Sequence, residues 1–157
     1  MKKYEFTGET KTLLSGTVLH QIRALVKIEL GWTTVEIGSV GGWIEKEENL
    51  SHEGTAWVFG DARVYGDARV YGDAWVCGDA WVYKMTHYLT IGPIGSRDAF
   101  VTFFRMKDRK VGVRCGCFYG DTDQFLAKVK QTHGDSKHAK NYEAATQLAL
   151  MRIDMDD

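Results

Sequence analysis

Residues 60 to 83 read GDARVYGDARVYGDAWVCGDAWVY, nearly the same six letters four times. A period of six is not helical. Alanine returns at 62, 68, 74 and 80, and valine at 64, 70, 76 and 82. Within each hexad the two lie two residues apart, so in an extended chain they share one side and the residue between them faces away. Gly-Asp follows, a pair suited to turning the chain. Each hexad therefore reads as a short strand and a corner. Three such sides close a triangular coil of about 18 residues, a solenoid with Ala and Val filling its narrow interior.

The register runs backwards from the clean repeat. Val58 with Ala56 makes one more hexad, and Ile44 lies six before Leu50. The gap from Leu50 to Val58 is two residues longer, which predicts an insertion in SHEGTA, bulging at a corner. Interior positions are then 44, 50, 58, 64, 70, 76 and 82, a little over two coils. These hexads resemble the hexapeptide-repeat proteins, which implies a short left-handed parallel β-helix. The handedness comes from the resemblance, since spacing alone does not determine it.

The outward positions are rich in rings. Trp57, Trp75 and Trp81 stand between the inner Ala and Val, and Phe59, Tyr65 and Tyr71 follow the inner Val. An 18-residue coil stacks Trp57 on Trp75, Arg63 on Trp81 and Tyr65 on Tyr83. Patches this apolar mark an interface. They are expected to be covered by the rest of the chain, by a second copy, or by both. Resemblance to the hexapeptide-repeat family implies a homo-oligomer of three or more subunits, with Trp57, Phe59, Tyr65, Tyr71, Trp75 and Trp81 at the contact.

Three units are expected. Residues 1–43 form a β-rich N-terminal cap, since an open solenoid end would pair with other chains. Residues 44–83 form the repeat. Residues 84–157 form an α+β unit: strands over HYLTIGPIGSRD, AFVTFFRM and VGVRCGCFYG, then two helices, in the order β-β-β-α-α. Asp121 and Gln124 read as a capping box for the first helix, which Gly134 ends. The second runs from Ser136 to about Ile153, with Tyr142, Ala145 and Ala149 on one stripe. The fold class is thus mainly β.

KYEFTGETK, GGWIEKEENLSHEG and the GDARVYG hexads together resemble a group of small bacteriophage and prophage proteins, described as hexapeptide-repeat or polymer-forming. The resemblance implies a viral origin and, for localisation, the cytoplasm of an infected bacterium. Three cysteines make no disulfide framework and fit that compartment. The first residues lack a secretory apolar core, and no 18-residue apolar run predicts a membrane helix. A net charge of −1 does not ask for a nucleic acid polymer. Residues 84–153, however, hold 12 Lys+Arg against 6 Asp+Glu, so the C-terminal unit is locally basic.

Catalytic signatures are weak. His52 and His87 flank the repeat, yet two coils are short for the acyl-carrier groove of a hexapeptide-repeat acyltransferase, the least favoured reading. Cys115 and Cys117, even with His87 and His133, lack the second close pair of a metal set, so no metal site is expected. Gly-Pro-Ile-Gly-Ser-Arg lacks the Gly-Lys-Ser/Thr ending of a P-loop. No catalytic residue and no cofactor are expected.

A binding role fits better. Gly95 and Ser96 make a loop with free backbone donors, and Arg97 supplies a guanidinium suited to phosphate. Arg105 and Arg114 lie on neighbouring strands, and Lys128 and His133 on the next helix. Phe103, with Tyr88, Phe104, Phe118 and Tyr119, offers rings on which a base stacks. Gly95, Ser96, Arg97, Phe103, Arg105, Arg114, Lys128 and His133 are the expected ligand contacts. The phage resemblance adds a context: small viral proteins that hold nucleotide immune signals of the host. The leading expectation is a non-enzymatic, oligomeric protein that sequesters a cyclic nucleotide or an ADP-ribose derivative. The alternative is a structural, trimerisation or protein-binding inhibitor module.

Overall fold

The computed structural model describes residues 1–155 and is mainly β, with two helices at the C-terminal end. The N-terminal part contains β1 (Tyr4–Thr12), β2 (Val18–Ala24), β3 (Ile28–Glu29), β4 (Thr34–Val35) and β5 (Val40–Ile44). The repeat supplies two-residue strands: β6 (Trp57–Val58), β7 (Arg63–Val64), β8 (Trp75–Val76) and β9 (Trp81–Val82). They pair in parallel, Val58 with Val76 and Val64 with Val82, at the expected spacing of 18. Ile44 pairs with Val64 and Leu50 with Val70, each spanning the two-residue insertion. Three rows of stacked rungs result. Every expected interior residue, from Ile44 to Val82 and including the five alanines, is fully buried. Burying a valine contributes about 1.5–3 kcal/mol, so the inner column is a major part of the fold's stability.

Corners need particular residues. Gly54, Gly60, Gly66, Gly72 and Gly78 all have φ between 57° and 69°, a region that side chains disfavour. At Gly66 a Cβ would also lie 2.8 Å from the Tyr83 carbonyl oxygen of the next rung. Buried Asn49 bridges another corner, its amide donating to Gly66 O and Ala68 O. The insertion is tied down by Lys3, whose buried Nζ donates to Ala56 O at 2.6 Å and Glu53 O at 3.3 Å.

The β1–β2 hairpin joins the coil edge-on. One sheet runs β1-β2-β5-β7-β9, antiparallel up to β5 and parallel beyond it. The hairpin therefore occupies backbone groups that β5 would otherwise leave open. His20 lies within β2.

The C-terminal unit contains β10 (Tyr88–Ile94), β11 (Ala99–Arg105), β12 (Val111–Cys115), β13 (Phe118–Asp121), α1 (Thr122–His133) and α2 (Lys137–Arg152). It corrects the expected β-β-β-α-α order to β-β-β-β-α-α. The segment VGVRCGCFYG is a hairpin and not one strand, because Gly116 takes φ 55° and reverses the chain. The four strands pair in sequence, all antiparallel. Asp121 and Gln124 form the capping box, Gly134 caps the end of α1, and Ser136 caps α2.

This sheet lies between coil and helices. Val101, Phe103, Val111 and Val113 join Phe125, Val129 and Tyr142 in a core under the helices. On the other face Phe104 and Tyr88 join the coil's core, and Thr102 Oγ1 accepts from Trp75 N at 3.0 Å. Alternation along β11 thus serves two cores. No helix among the described residues is long and apolar enough to cross a membrane.

Sheet placement corrects the expected aromatic interface. Trp57 is 1% exposed, packed edge-on to Tyr4 of β1. Trp75 is 6% exposed, against Trp32 and under β11. Phe59 is partly buried against the same core and lies 6.2 Å from Trp32. The chain itself covers Trp57 and Trp75 on this side of the coil and leaves Phe59 partly exposed. Trp81 and Tyr65 stay half-buried, under Arg63 and beside Tyr83 respectively. Tyr71 is 58% exposed.

Candidate ligand-binding site

A cleft of about 310 Å³ opens where the β10–β11 turn, the Gly116 hairpin and both helices meet. Its apolar walls are Phe118, Phe125, Val129 and Tyr142, with Trp32 reaching in from the β3–β4 turn. Phe125 anchors this wall: its ring lies 5.5 Å from Phe118 and 5.6 Å, edge-on, from Tyr142. The capping box at Asp121 sets the start of α1 and so the positions of Phe125, Lys128, Val129 and His133, which recur at helical spacing.

Basic side chains stand at the rim. Arg97 is exposed in the turn, Lys128 is exposed on α1, and His133 is half-buried beside Tyr142 at 5.6 Å between ring centroids. Among the described residues, the lining includes no carboxylate. The Arg97 charge lies close enough to pull on the Tyr142 phenol, although burial is the larger effect and raises its pKa. Cys115 also lines the cleft; burial raises its thiol pKa above the usual value. A protonated thiol is a poor nucleophile.

Of the expected ligand contacts, Ser96, Arg97, Lys128 and His133 come together in this cleft. Gly95 does not line it. A Cβ there would overlap the Tyr142 hydroxyl, so Gly95, at φ 81°, lets the phenol close the cleft wall. Phe103 is a correction: it is fully buried beneath the helices, with Phe125 between it and Phe118. Arg105 is a second correction. It is 3% exposed and lies over the Tyr83 ring at 5.3 Å, away from the cleft. Arg114 points to the coil side of the sheet, 4.0 Å from the centre of Trp32, and interacts with Cys77, whose pKa burial pushes up to about 12. It supports a cleft wall from behind. Of the other rings, Tyr88 and Phe104 are core, and Tyr119 packs on Phe104 and donates to Met106 Sδ.

Sequence reasoning missed Trp32, Phe125 and Tyr142 as cleft residues. Phe125 and Tyr142 carry a legible signal, since both lie on the inner helical stripe. Trp32 carries none, because only the tertiary fold brings its turn to the C-terminal unit. Cys77, Cys115 and Cys117 are free, and no group of three metal-ligating side chains occurs among the described residues.

Neither a protein-family model nor a curated protein matches the sequence. The assignment therefore rests on the geometry. Flat apolar walls, a cationic rim and no opposing carboxylate suit a ligand with an aromatic body and an anionic end.

Proposed function

We propose that this protein binds a phosphate-bearing nucleotide in the cleft between α1, the Gly116 hairpin and the 95–98 turn, and holds it unchanged. One observation carries the reading: Arg97, Lys128 and His133 share the rim of an aromatic-walled cleft whose described lining has no carboxylate. Guanidinium and ammonium groups pair with phosphate oxygens, and rings accept a base face-on. The raised thiol pKa of Cys115 favours binding over nucleophilic chemistry.

The stacked hexads act as a scaffold, and their 18-residue pitch and inner Ala-Val column support a β-helix of about two coils, whose left hand is taken from the resemblance to hexapeptide-repeat proteins. On the resemblance to phage proteins, the ligand is a host immune signal and the protein a sponge for it. The test is a thermal-shift panel of cyclic nucleotides, ADP and ADP-ribose. Bound nucleotide is then released by heat and identified by chromatography. Stabilisation with intact nucleotide recovered supports the proposal. Altered nucleotide would mark an enzyme.

A second reading, a self-association or protein-binding module, is favoured by one patch. Met151 is 83% exposed beside exposed Leu148 on α2, and the neighbouring Arg152 shares a hollow with exposed Tyr71 and Met85. Exposed apolar groups such as these suit a contact surface. Sedimentation of the wild type and of Tyr71→Lys/Met151→Lys tests it. A shift from oligomer to monomer supports the contact, and a wild-type monomer removes it.

A further inference from the structure

The cleft does not end at Trp32. A second hollow of about 440 Å³ adjoins it, and Trp32, Arg97, Ala99 and Gly116 line both. The chemistry of the second hollow is opposite to the first. Its polar lining includes Glu29, Asp73 and Asp98, with Thr55. Asp73 Oδ1 accepts from Thr55 Oγ1 at 2.6 Å, and Glu29 lies 3.6 Å from Lys27 Nζ. These carboxylates do not group with any other ligand as a metal site among the described residues.

Unpartnered donors lie at and around the neck. The indole nitrogens of Trp32 and Trp75 and the Nε of Arg114 are buried with no hydrogen-bond acceptor. Trp75 is more than nine-tenths buried and lines the second hollow, while the Arg114 guanidinium lies over Trp32. Buried donors without acceptors are costly, and a ligand oxygen is one remedy.

Resting on the nucleotide reading above, we infer that the ligand has two heads: a nucleoside in the aromatic lobe, a diphosphate at the Arg97 neck, and a ribose in the acidic lobe. Carboxylates accept hydrogen bonds from vicinal hydroxyls, as they do from ribose in dinucleotide sites. They repel a further phosphate. The acidic lobe thus selects ADP-ribose-like molecules over compact cyclic mononucleotides and over nucleoside triphosphates.

The test is a calorimetric titration of the full chain with ADP, ADP-ribose and ATP at one ionic strength. ADP-ribose is expected to bind about tenfold tighter than ADP, the size of one added charge-assisted hydrogen bond. ATP is expected to bind more weakly than ADP. In Asp98→Asn, where asparagine tolerates the native φ of 48°, and in Asp73→Asn, the ratio of ADP-ribose to ADP affinity is expected to fall toward one. Equal binding of ADP and ADP-ribose, or ATP binding as tightly as ADP, overturns the acidic lobe and leaves the nucleotide cleft standing. A preference that persists in both variants removes the two aspartates from it. No binding of any of the three overturns the cleft assignment as well. The order of the three ligands on the wild type needs no variant to fold.

Discussion

Arg114 lies over Trp32, its guanidinium carbon 4.0 Å from the ring centre. The pair joins the third strand of the C-terminal sheet to a turn in the N-terminal part. The same indole lines both the aromatic cleft and the acidic hollow. One contact therefore couples the attachment of two parts of the chain to the shape of the candidate site.

Arg114→Lys is expected to weaken both. Lysine keeps the charge but cannot lie flat on an indole. A loss of about 1 kcal/mol is expected from the stacking alone. It is read as a lower urea midpoint at unchanged slope, and nucleotide affinity falls with it. Trp32→Ala removes the shared wall outright and is expected to cost more in both readouts.

Arg97 and Arg105 look equivalent in the sequence and differ in the fold. Arg97→Ala is expected to lose about 1.5–3 kcal/mol of nucleotide affinity, the range for hydrogen bonds to charged groups. Its melting temperature without ligand should stay the same, because the side chain is exposed. Arg105→Ala is expected to do the reverse: lower the melting temperature, since the group is buried over Tyr83, and spare affinity. Calorimetry paired with thermal denaturation separates the two.

The inner column of the coil is tested at Val64. Val64→Ala is expected to destabilise by about 1–3 kcal/mol, the transfer and cavity cost of a buried aliphatic group. Exposed Arg69→Ala should stay within about 0.5 kcal/mol of wild type. Gly66→Ala should also destabilise, since its Cβ would meet a backbone oxygen that cannot move aside alone.

Burial lowers the Lys3 ammonium pKa to about 8, against about 10.4 for lysine in an unfolded chain. Between those values the unfolded state holds more of this proton, so raising the pH favours the folded state. Protein stability measured at pH 7.5 and 9.5 should therefore gain a positive increment from Lys3. The difference between wild type and Lys3→Met isolates its contribution from those of all other groups. A difference that does not grow with pH would show that the Lys3 pKa is not depressed.

The repeat was legible because its signal is local and redundant. Period, corner glycines and inner residues all agree, and even the insertion after Leu50 could be placed. The helix ends were legible for a similar reason, since Asp121, Gln124, Gly134 and Ser136 act on adjacent backbone. The hairpin at Gly116 was not, because Cys-Gly-Cys preserves the alternation of a continuous strand and only the sign of φ breaks it. The covered rings Trp57 and Trp75 were not either. An outward position on a coil says nothing of which distant segment folds over it, here Tyr4, Trp32 and Thr102. Half of the expected ligand contacts met in the cleft because Ser96, Arg97, Lys128 and His133 sit in a turn and on a helix that the strand order brings together. Phe103 and Arg105 failed because alternation fixes two faces of a strand without saying which core each face meets.

Titrating ADP into the wild type and into Arg97→Ala/Lys128→Ala tests the central claim most directly. One saturable site per chain is expected for the wild type, weakening as salt rises, with binding lost in a double variant that melts at the wild-type temperature. A wild type that binds no nucleotide, or a folded double variant that binds equally well, would contradict the account.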